Sequence, residues 1–245
     1  RLAAKSLFDF DGGSLQTYRR MVGAMDAQVG RILRTLEARG IADDTIVVFT
    51  SDNGGERFSN TWPFTGHKTE LLEGGLRIPA VIRWPAKITA RRTHDQVMAS
   101  MDWLPTLLAA AGGAPDPAYP SDGMNLLPVL TGNPAPVPRK LFWRYKANAQ
   151  RAARDGDWKI LKMLDQTFLF NVVADPLERA NLRDRHRDIY DRMVAQWTEW
   201  NKDMLPEVRE SFTDSFDSSQ LADHFGAQKA SGQPDLDEAF PQQTR

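Results

Sequence analysis

Two neighbouring oxygen-bearing side chains, Asp52 and Asn53, are followed at once by Gly54 and Gly55. Carboxylate and amide oxygens are hard ligands, so this pair suits Ca²⁺ or Mg²⁺ better than a softer transition metal. The glycines allow the backbone to turn sharply beside the pair. Asx-Gly pairs are also common in ordinary turns, so both interpretations stay open for this motif taken alone.

A second candidate, Lys68, follows Gly66 and His67 in the same long loop, Ser51–Arg77. A lysine beside a glycine can hold an anionic oxygen of a substrate. A single lysine is more often only a solvated surface residue. His67 is a weak metal-ligand candidate because no second ligand is evident near it in the sequence.

The elements before and after this loop are predicted to position it. Apolar residues recur at three- and four-residue spacing from Tyr18 to Leu36, which predicts a helix with Ser14 as its N-cap and Gly40 beyond its end. The β-branched run Thr45–Thr50 then predicts a strand that is buried on both faces, inside a parallel sheet. A second buried strand is predicted over Ile78–Trp84. Open α/β sheets bind ligands beyond the ends of such strands.

The remainder of the chain predicts further helices and a smaller sheet. Asp102 is expected to cap a helix that ends near Ala111, and Asp155-Gly156 is a hairpin signal. The predicted later elements are strands at Leu141–Tyr145, Gln150–Arg154, Trp158–Met163 and Phe168–Asn171, and a helix from about Arg187 to Asp203. We therefore predict an α/β core over residues 1–138, a small antiparallel sheet packed by one helix over 139–206, and an acidic tail over 207–245.

The composition excludes several classes of function. The 245 residues contain 31 Lys and Arg against 32 Asp and Glu, which argues against general nucleic-acid binding. The absence of cysteine excludes disulfides, zinc–thiolate sites and cysteine nucleophiles within these residues. No apolar run approaches the roughly 20 residues that cross a bilayer.

Taken in order, the motifs Ser51–Gly55, Gly66–Lys68, Glu73–Gly75 and Arg77–Pro79 resemble those of the type I, formylglycine-dependent sulfatases of the alkaline-phosphatase-like superfamily. The likeness extends from Gly12 to Met204. It includes segments at Asp102–Gly112, Asp122–Gly132, Asp155–Lys159, Leu169–Asn171 and Asp175-Pro176. The ordered series is far more specific than any single motif.

The resemblance implies roles for the candidate residues. Asp52 and Asn53 would be two calcium ligands, and Lys68 would be a catalytic residue that contacts the sulfate group. His67 would either bind substrate beside it or serve the structure of the loop. Phosphonate and phosphodiester hydrolases of the superfamily typically have His where this chain has Asn53. An amide oxygen there favours Ca²⁺ and hence a sulfatase.

The sequence departs from the family pattern at the nucleophile. Sulfatases make formylglycine from the first residue of a Cys/Ser-x-Pro-Ser-Arg motif, which these 245 residues do not contain. We therefore expect the C-terminal portion of a hydrolase of sulfate monoesters, acting on a small molecule or a saccharide, and inactive alone. Portions of a phosphonate or phosphodiester hydrolase, or a non-catalytic binding module, are the alternatives.

Two further expectations concern partners and location. An exposed edge of the main sheet would favour self-association, or pairing with a missing N-terminal half. The resemblance is compatible with a periplasmic or secreted protein, but the sequence leaves the location open.

Overall fold

The computed structural model describes residues 14–56, 58–132, 134–146, 149–207 and 240. They fall into two compact units, the first from Arg1–Thr50 with Ala80–Val137 and the second from Ser51–Pro79 with Pro138–Arg245. The long loop after Thr50 is thus grouped with the C-terminal strands, across the boundary predicted at residue 138. The three-part division of the chain stays a prediction. Most of the predicted acidic tail lies outside the described residues.

The first unit begins with helix α1, Leu15–Ala38. The hydroxyl oxygen of Ser14 accepts the backbone N–H of Thr17 at 3.1 Å, and Gly40 has a φ of 67°, so both predicted ends are confirmed. The apolar stripe of α1 is not buried, however. Met21 is 67% exposed and Ile32 is 57% exposed.

Strand β1 (Val47–Thr50) pairs with β2 (Ala80–Arg83), and the pairing is antiparallel. The prediction of a parallel sheet is therefore wrong for these two strands. Parallel strands are usually joined by a crossover helix, whereas these two strands are joined by a loop that contains the short helix α2, Glu73–Leu76. The predicted burial of the two strands is also wrong, because Phe49 on β1 is 37% exposed and Val81 on β2 is 59% exposed. The apolar composition predicted the two strands, but it did not predict the direction of their pairing or their burial.

A short 3₁₀ turn, Ser100–Asp102, leads into helix α3, Trp103–Ala110, and α4 follows at Leu127–Thr131. Asp102 is the N-cap residue of α3, as predicted, but its side chain makes no capping hydrogen bond to that helix. Its two oxygens accept the backbone N–H groups of Ala99 at 2.7 Å and Met124 at 2.8 Å. The buried carboxylate thus joins the start of α3 to the segment before α4.

The second unit contains the predicted antiparallel sheet. Its strands lie in chain order. They are β3 (Lys140–Tyr145), β4 (Gln150–Asp155), β5 (Trp158–Met163) and β6 (Gln166–Asn171). Gly156, with a φ of 60°, lies in the predicted turn between β4 and β5. Helix α5, Arg187–Lys202, follows the sheet.

Both faces of this sheet are covered. On one face, Ile160 and Leu169 pack against Met193 and Trp197 of α5. On the other face, side chains that include Leu161, Phe168 and Phe170 pack against Leu71 and Leu72 of the long loop. The loop that contains the candidate site is therefore anchored on the C-terminal sheet. No helix within the described ranges is long and apolar enough to cross a membrane.

Candidate functional site

The structure brings the Asp52–Asn53 turn and the Lys68 segment together. Three backbone hydrogen bonds join the turn, the lysine segment and helix α2: Gly54 N–H to Gly75 O (2.8 Å), Lys68 N–H to Gly55 O (2.8 Å), and Gly74 N–H to Thr65 O (2.7 Å). Two motifs that are separated in sequence thus share one backbone framework.

Glycine is required where these segments meet. A Cβ at Gly54 would lie 1.9 Å from Gly74 O, and a Cβ at Gly74 would lie 2.2 Å from Gly66 O. Both distances are far shorter than any non-bonded contact, so larger residues would force α2 away from the turn or from the lysine segment. The glycines of the motifs therefore bring the site residues close together.

The Asp52–Asn53 turn is held by local hydrogen bonds. Asp52 Oδ1 accepts the Asn53 backbone N–H at 2.9 Å, and the Asn53 amide nitrogen donates to Gly54 O at 2.9 Å. Neither bond uses Asp52 Oδ2 or Asn53 Oδ1, and both are oxygens of the type that a hard cation binds. As ligands, the carboxylate oxygen of Asp52 and the amide oxygen of Asn53 fit Ca²⁺.

The pair does not make a complete cation site. Across residues 14–56, 58–132, 134–146, 149–207 and 240, no three His, Cys, Asp or Glu side chains form a group that could hold a metal ion. Calcium takes about six to eight oxygens, and this pair supplies a minority of them.

The Lys68 ammonium group lies at the surface. Its Nζ is 3.6 Å from Glu56 Oε2, and the two side chains are 45% and 55% exposed. An exposed pair of this kind contributes at most about 1 kcal/mol, so an anion can compete for the lysine at little cost.

The His67 ring is engaged with the loop itself. Its Nδ1 lies 2.9 Å from Lys68 O and its Nε2 lies 3.7 Å from Glu70 Oε1. These contacts support the predicted role of His67 in the structure of the loop. Substrate binding by His67 stays a prediction.

A cluster of buried charged side chains holds helix α2, which follows the lysine segment. Lys159 Nζ on β5 lies 3.0 Å from Glu73 Oε1 and 2.9 Å from Glu178 Oε1. Arg77 Nε donates to Glu73 Oε2 at 2.7 Å, and the Glu73 backbone N–H donates to Glu178 Oε2 at 2.6 Å. Glu73 and Arg77 thus contribute to the framework that holds α2 in place. Lys159 and Glu178 were not identified from the sequence, because only the folded chain brings them to Glu73.

The pKa values of the two carboxylates in this cluster are shifted in opposite directions. Burial alone would raise the pKa of Glu73, but the positive charges of Lys159, Arg77 and Arg154 lower it to about 2. Burial raises the pKa of Glu178, and the negative charge of the neighbouring Glu73 raises it further. The positive charge of Lys159 lowers this pKa, but by less than the other two causes raise it. The cluster therefore depends on the lysine between the two acids.

Comparison with known proteins identifies the family. The Sulfatase family profile matches residues 4–114, and the profile of the C-terminal region of N-sulphoglucosamine sulphohydrolase matches residues 66–203, more than half of the chain. The human N-acetylgalactosamine-6-sulfatase is 36% identical over 148 residues, which cover 58% of this chain and 28% of that protein.

Solved structures agree with the sequence matches. Ps i-CgsB in complex with k-i-k-neocarrahexaose is similar with a TM-score of 0.73 and 27% identity, over 89% of this chain and 48% of that one. BT4656, in complex with its substrate D-glucosamine-2-N,6-O-disulfate, is similar with a TM-score of 0.60 and 26% identity, over 79% of this chain and 43% of that one.

The matches cover only part of each relative. The chain spans 28 to 37% of the length of the first curated relatives that it matches. The predicted fold class is confirmed, since the chain folds like solved structures that include Ps i-CgsB and a putative sulfatase from Bacteroides fragilis, and the second unit contains the four-stranded antiparallel sheet. The ordered motifs, the two family profiles and the structural likeness agree, and the chain belongs to the sulfatase family of the alkaline-phosphatase-like superfamily.

Proposed function

We propose that the loop Ser51–Arg77 contributes to the hydrolysis of a sulfate monoester, with Asp52 and Asn53 as calcium ligands and Lys68 as the residue that holds the sulfate group. The single observation that supports this most is the 2.8 Å hydrogen bond from Lys68 N–H to Gly55 O. It places the base of the lysine against the turn that contains the oxygen pair.

The chemistry of the reaction requires positive charge at this place. A sulfate monoester bears one negative charge on its non-bridging oxygens, and further charge develops on the ester oxygen as it leaves. The Lys68 ammonium binds and orients the sulfate oxygens, and it stabilises that charge. Calcium, when bound, supplies additional positive charge to the same group.

We propose a sulfated saccharide as the substrate. The human relative is named for an N-acetylated amino sugar, and two similar structures contain saccharides. A half-exposed lysine at the surface of a loop suits an anionic group on a bulky substrate, because the rest of the molecule can stay outside.

The 245 residues by themselves are proposed to be inactive. They contain no cysteine and no Ser-x-Pro-Ser-Arg sequence from which formylglycine could be made. The purified chain is expected to give no turnover of an aryl sulfate above the buffer rate. Turnover that persists through further purification and is lost in Lys68→Ala would overturn this part of the proposal.

Calcium binding can be tested directly at the turn. In a Ca²⁺ titration followed by ¹H–¹⁵N spectra, we expect saturable shifts at the Asn53 and Gly54 amides, with a Kd on the order of millimolar because the ligand set is incomplete. Asp52→Asn should weaken this binding about tenfold. Asp116→Asn is a matched control, because Asp116 is also exposed and accepts a local backbone N–H, from Ala118 at 2.9 Å.

The outcomes of this titration are distinct. Shifts at Asn53 that depend on Asp52 and not on Asp116 support the assignment of the calcium ligands. Equal affinities in all three proteins, or the absence of any shift at the turn, would contradict it.

A further inference from the structure

We propose that Gln150, on strand β4, is a positioning residue for the sulfate-binding lysine. This inference rests on the role proposed above for Lys68. The Gln150 side chain is fully buried, and its amide holds the backbone on both sides of Glu70, directly after Lys68.

The side-chain amide of Gln150 makes two complementary hydrogen bonds with the loop. Its Oε1 accepts the backbone N–H of Leu71 at 2.8 Å, and its Nε2 donates to the backbone carbonyl of Thr69 at 2.9 Å. One side chain from the sheet thus satisfies a donor and an acceptor of the loop. Each of these backbone groups would cost free energy if it were buried without a partner.

The preceding residues are held by other groups. Lys68 N–H donates to Gly55 O at 2.8 Å, and His67 N–H donates to Glu70 Oε2 at 3.0 Å. The backbone around Lys68 is therefore fixed on its N-terminal side by the Asp52–Asn53 turn and on its C-terminal side by Gln150. The ammonium group itself remains about half exposed.

The conformation of Thr69 shows why the loop needs this support. Its φ is 78°, in the left-handed region that β-branched residues rarely adopt. Such a residue persists only where its neighbours enforce the conformation. The Gln150 amide bonds the carbonyl of Thr69 itself and the N–H two residues later, so it holds this part of the backbone in place.

The side chain at this position needs both a donor and an acceptor. A glutamate could accept from Leu71 but could not donate to Thr69 when ionised, and a methionine could do neither. The neutral amide also avoids the desolvation of a buried charge. These requirements separate the possible substitutions into a graded series.

The test compares Gln150→Met and Gln150→Glu with the wild-type chain and with Thr167→Val. Thr167 is a matched control because it is buried on β6, and its hydroxyl accepts from Arg183 Nη1 at 2.8 Å instead of contacting the loop. Sodium sulfate is titrated at constant ionic strength, and the Lys68 amide is followed by ¹H–¹⁵N spectra. Hydrogen exchange of the Leu71 amide is measured in parallel.

Gln150→Met is expected to weaken sulfate binding at Lys68 about fivefold and to speed Leu71 exchange about tenfold, because both loop hydrogen bonds are lost. Gln150→Glu is expected to protect Leu71 but still to weaken sulfate binding. Thr167→Val is expected to bind sulfate as the wild type does, even where it lowers stability. Should Gln150→Met fail to fold, Gln150→Glu decides alone.

Unchanged sulfate affinity in the folded Gln150 variants would overturn this inference, with the proposed function intact. An equal loss in Thr167→Val would also overturn it, because it would show a general effect of stability. If the wild-type chain shows no sulfate-dependent shift at Lys68, the proposed function fails and this inference fails with it.

Discussion

The two sheets in the described part of the chain are both antiparallel, but their strands differ in burial. Val81 in the two-stranded sheet β1–β2 is 59% exposed, whereas Ile160 and Leu161 in the four-stranded sheet are fully buried on opposite faces. The difference lies in what covers them. The four-stranded sheet has α5 on one face and the Lys68 loop on the other.

The comparison shows which part of the chain supports the site. The candidate residues follow β1 in sequence, yet the side chains that hold their loop come from β4, β5 and the segment around Glu178. The exposed edge expected from the sequence at β1 and β2 stays a prediction. The self-association expected from that edge stays a prediction.

The largest effect is expected at the buried charges. Lys159→Met removes the cation between Glu73 and Glu178 and leaves two acids buried together. We expect a loss of about 3 to 5 kcal/mol in the free energy of unfolding, measured by urea titration. Arg187→Met, which removes an exposed ion pair with Asp191 of 2.8 Å, is the control and should cost less than about 0.5 kcal/mol. Equal losses in the two variants would show that burial does not distinguish these pairs.

Acid should weaken the same region. The pKa of Glu73 is about 2 in the folded chain against 4.5 for a free glutamate, so its stabilisation is complete above pH 4.5 and is lost as the pH falls toward 2. The loss should be about 3 kcal/mol. The raised pKa of Glu178 has the opposite effect on stability. Its effect appears above pH 4.5, the ordinary pKa of this group, where stability falls as the pH rises.

Urea titrations from pH 6 to pH 2.5 measure this dependence. Glu73→Gln should flatten the part below pH 4.5, since it removes the group that titrates there. An acid dependence that is identical in Glu73→Gln would show that another group is responsible.

Smaller changes compare the two sheets directly. Ile160→Val removes one buried methyl group and should cost about 1 kcal/mol. Val81→Ala removes two methyl groups from an exposed position and should change the free energy of unfolding by less than about 0.5 kcal/mol. Thermal unfolding of both variants measures the difference. A larger cost for Val81→Ala would mean that the β1–β2 face is covered in solution.

Local features of the fold could be predicted from the sequence. The helix that begins after Ser14, the turn at Gly156 and the four C-terminal strands each depend on residues that are near one another in the chain. The family could be predicted for a similar reason, because its motifs are short and occur in a fixed order. The closeness of the Asp52 turn to Lys68 followed from the family resemblance and not from spacing.

Contacts between distant residues could not be predicted. Gln150 lies 79 positions from Leu71, and Lys159 lies 86 positions from Glu73. Nothing in the local pattern of β4 or β5 distinguishes these polar residues from others on a strand. The direction of pairing between β1 and β2 was also missed, because strand composition does not specify a partner.

The most direct test of the account is the coupling between calcium and sulfate at the loop. Sulfate is titrated into the chain with and without Ca²⁺ at constant ionic strength, and the Lys68 amide is observed. Ligands that share one site must affect each other's affinity reciprocally. We predict that Ca²⁺ tightens sulfate binding in the wild type, that Asn53→Ala abolishes this effect, and that Lys68→Ala abolishes sulfate binding itself. Sulfate binding that is independent of both Ca²⁺ and Lys68 would contradict the proposal that Asp52, Asn53 and Lys68 form one site.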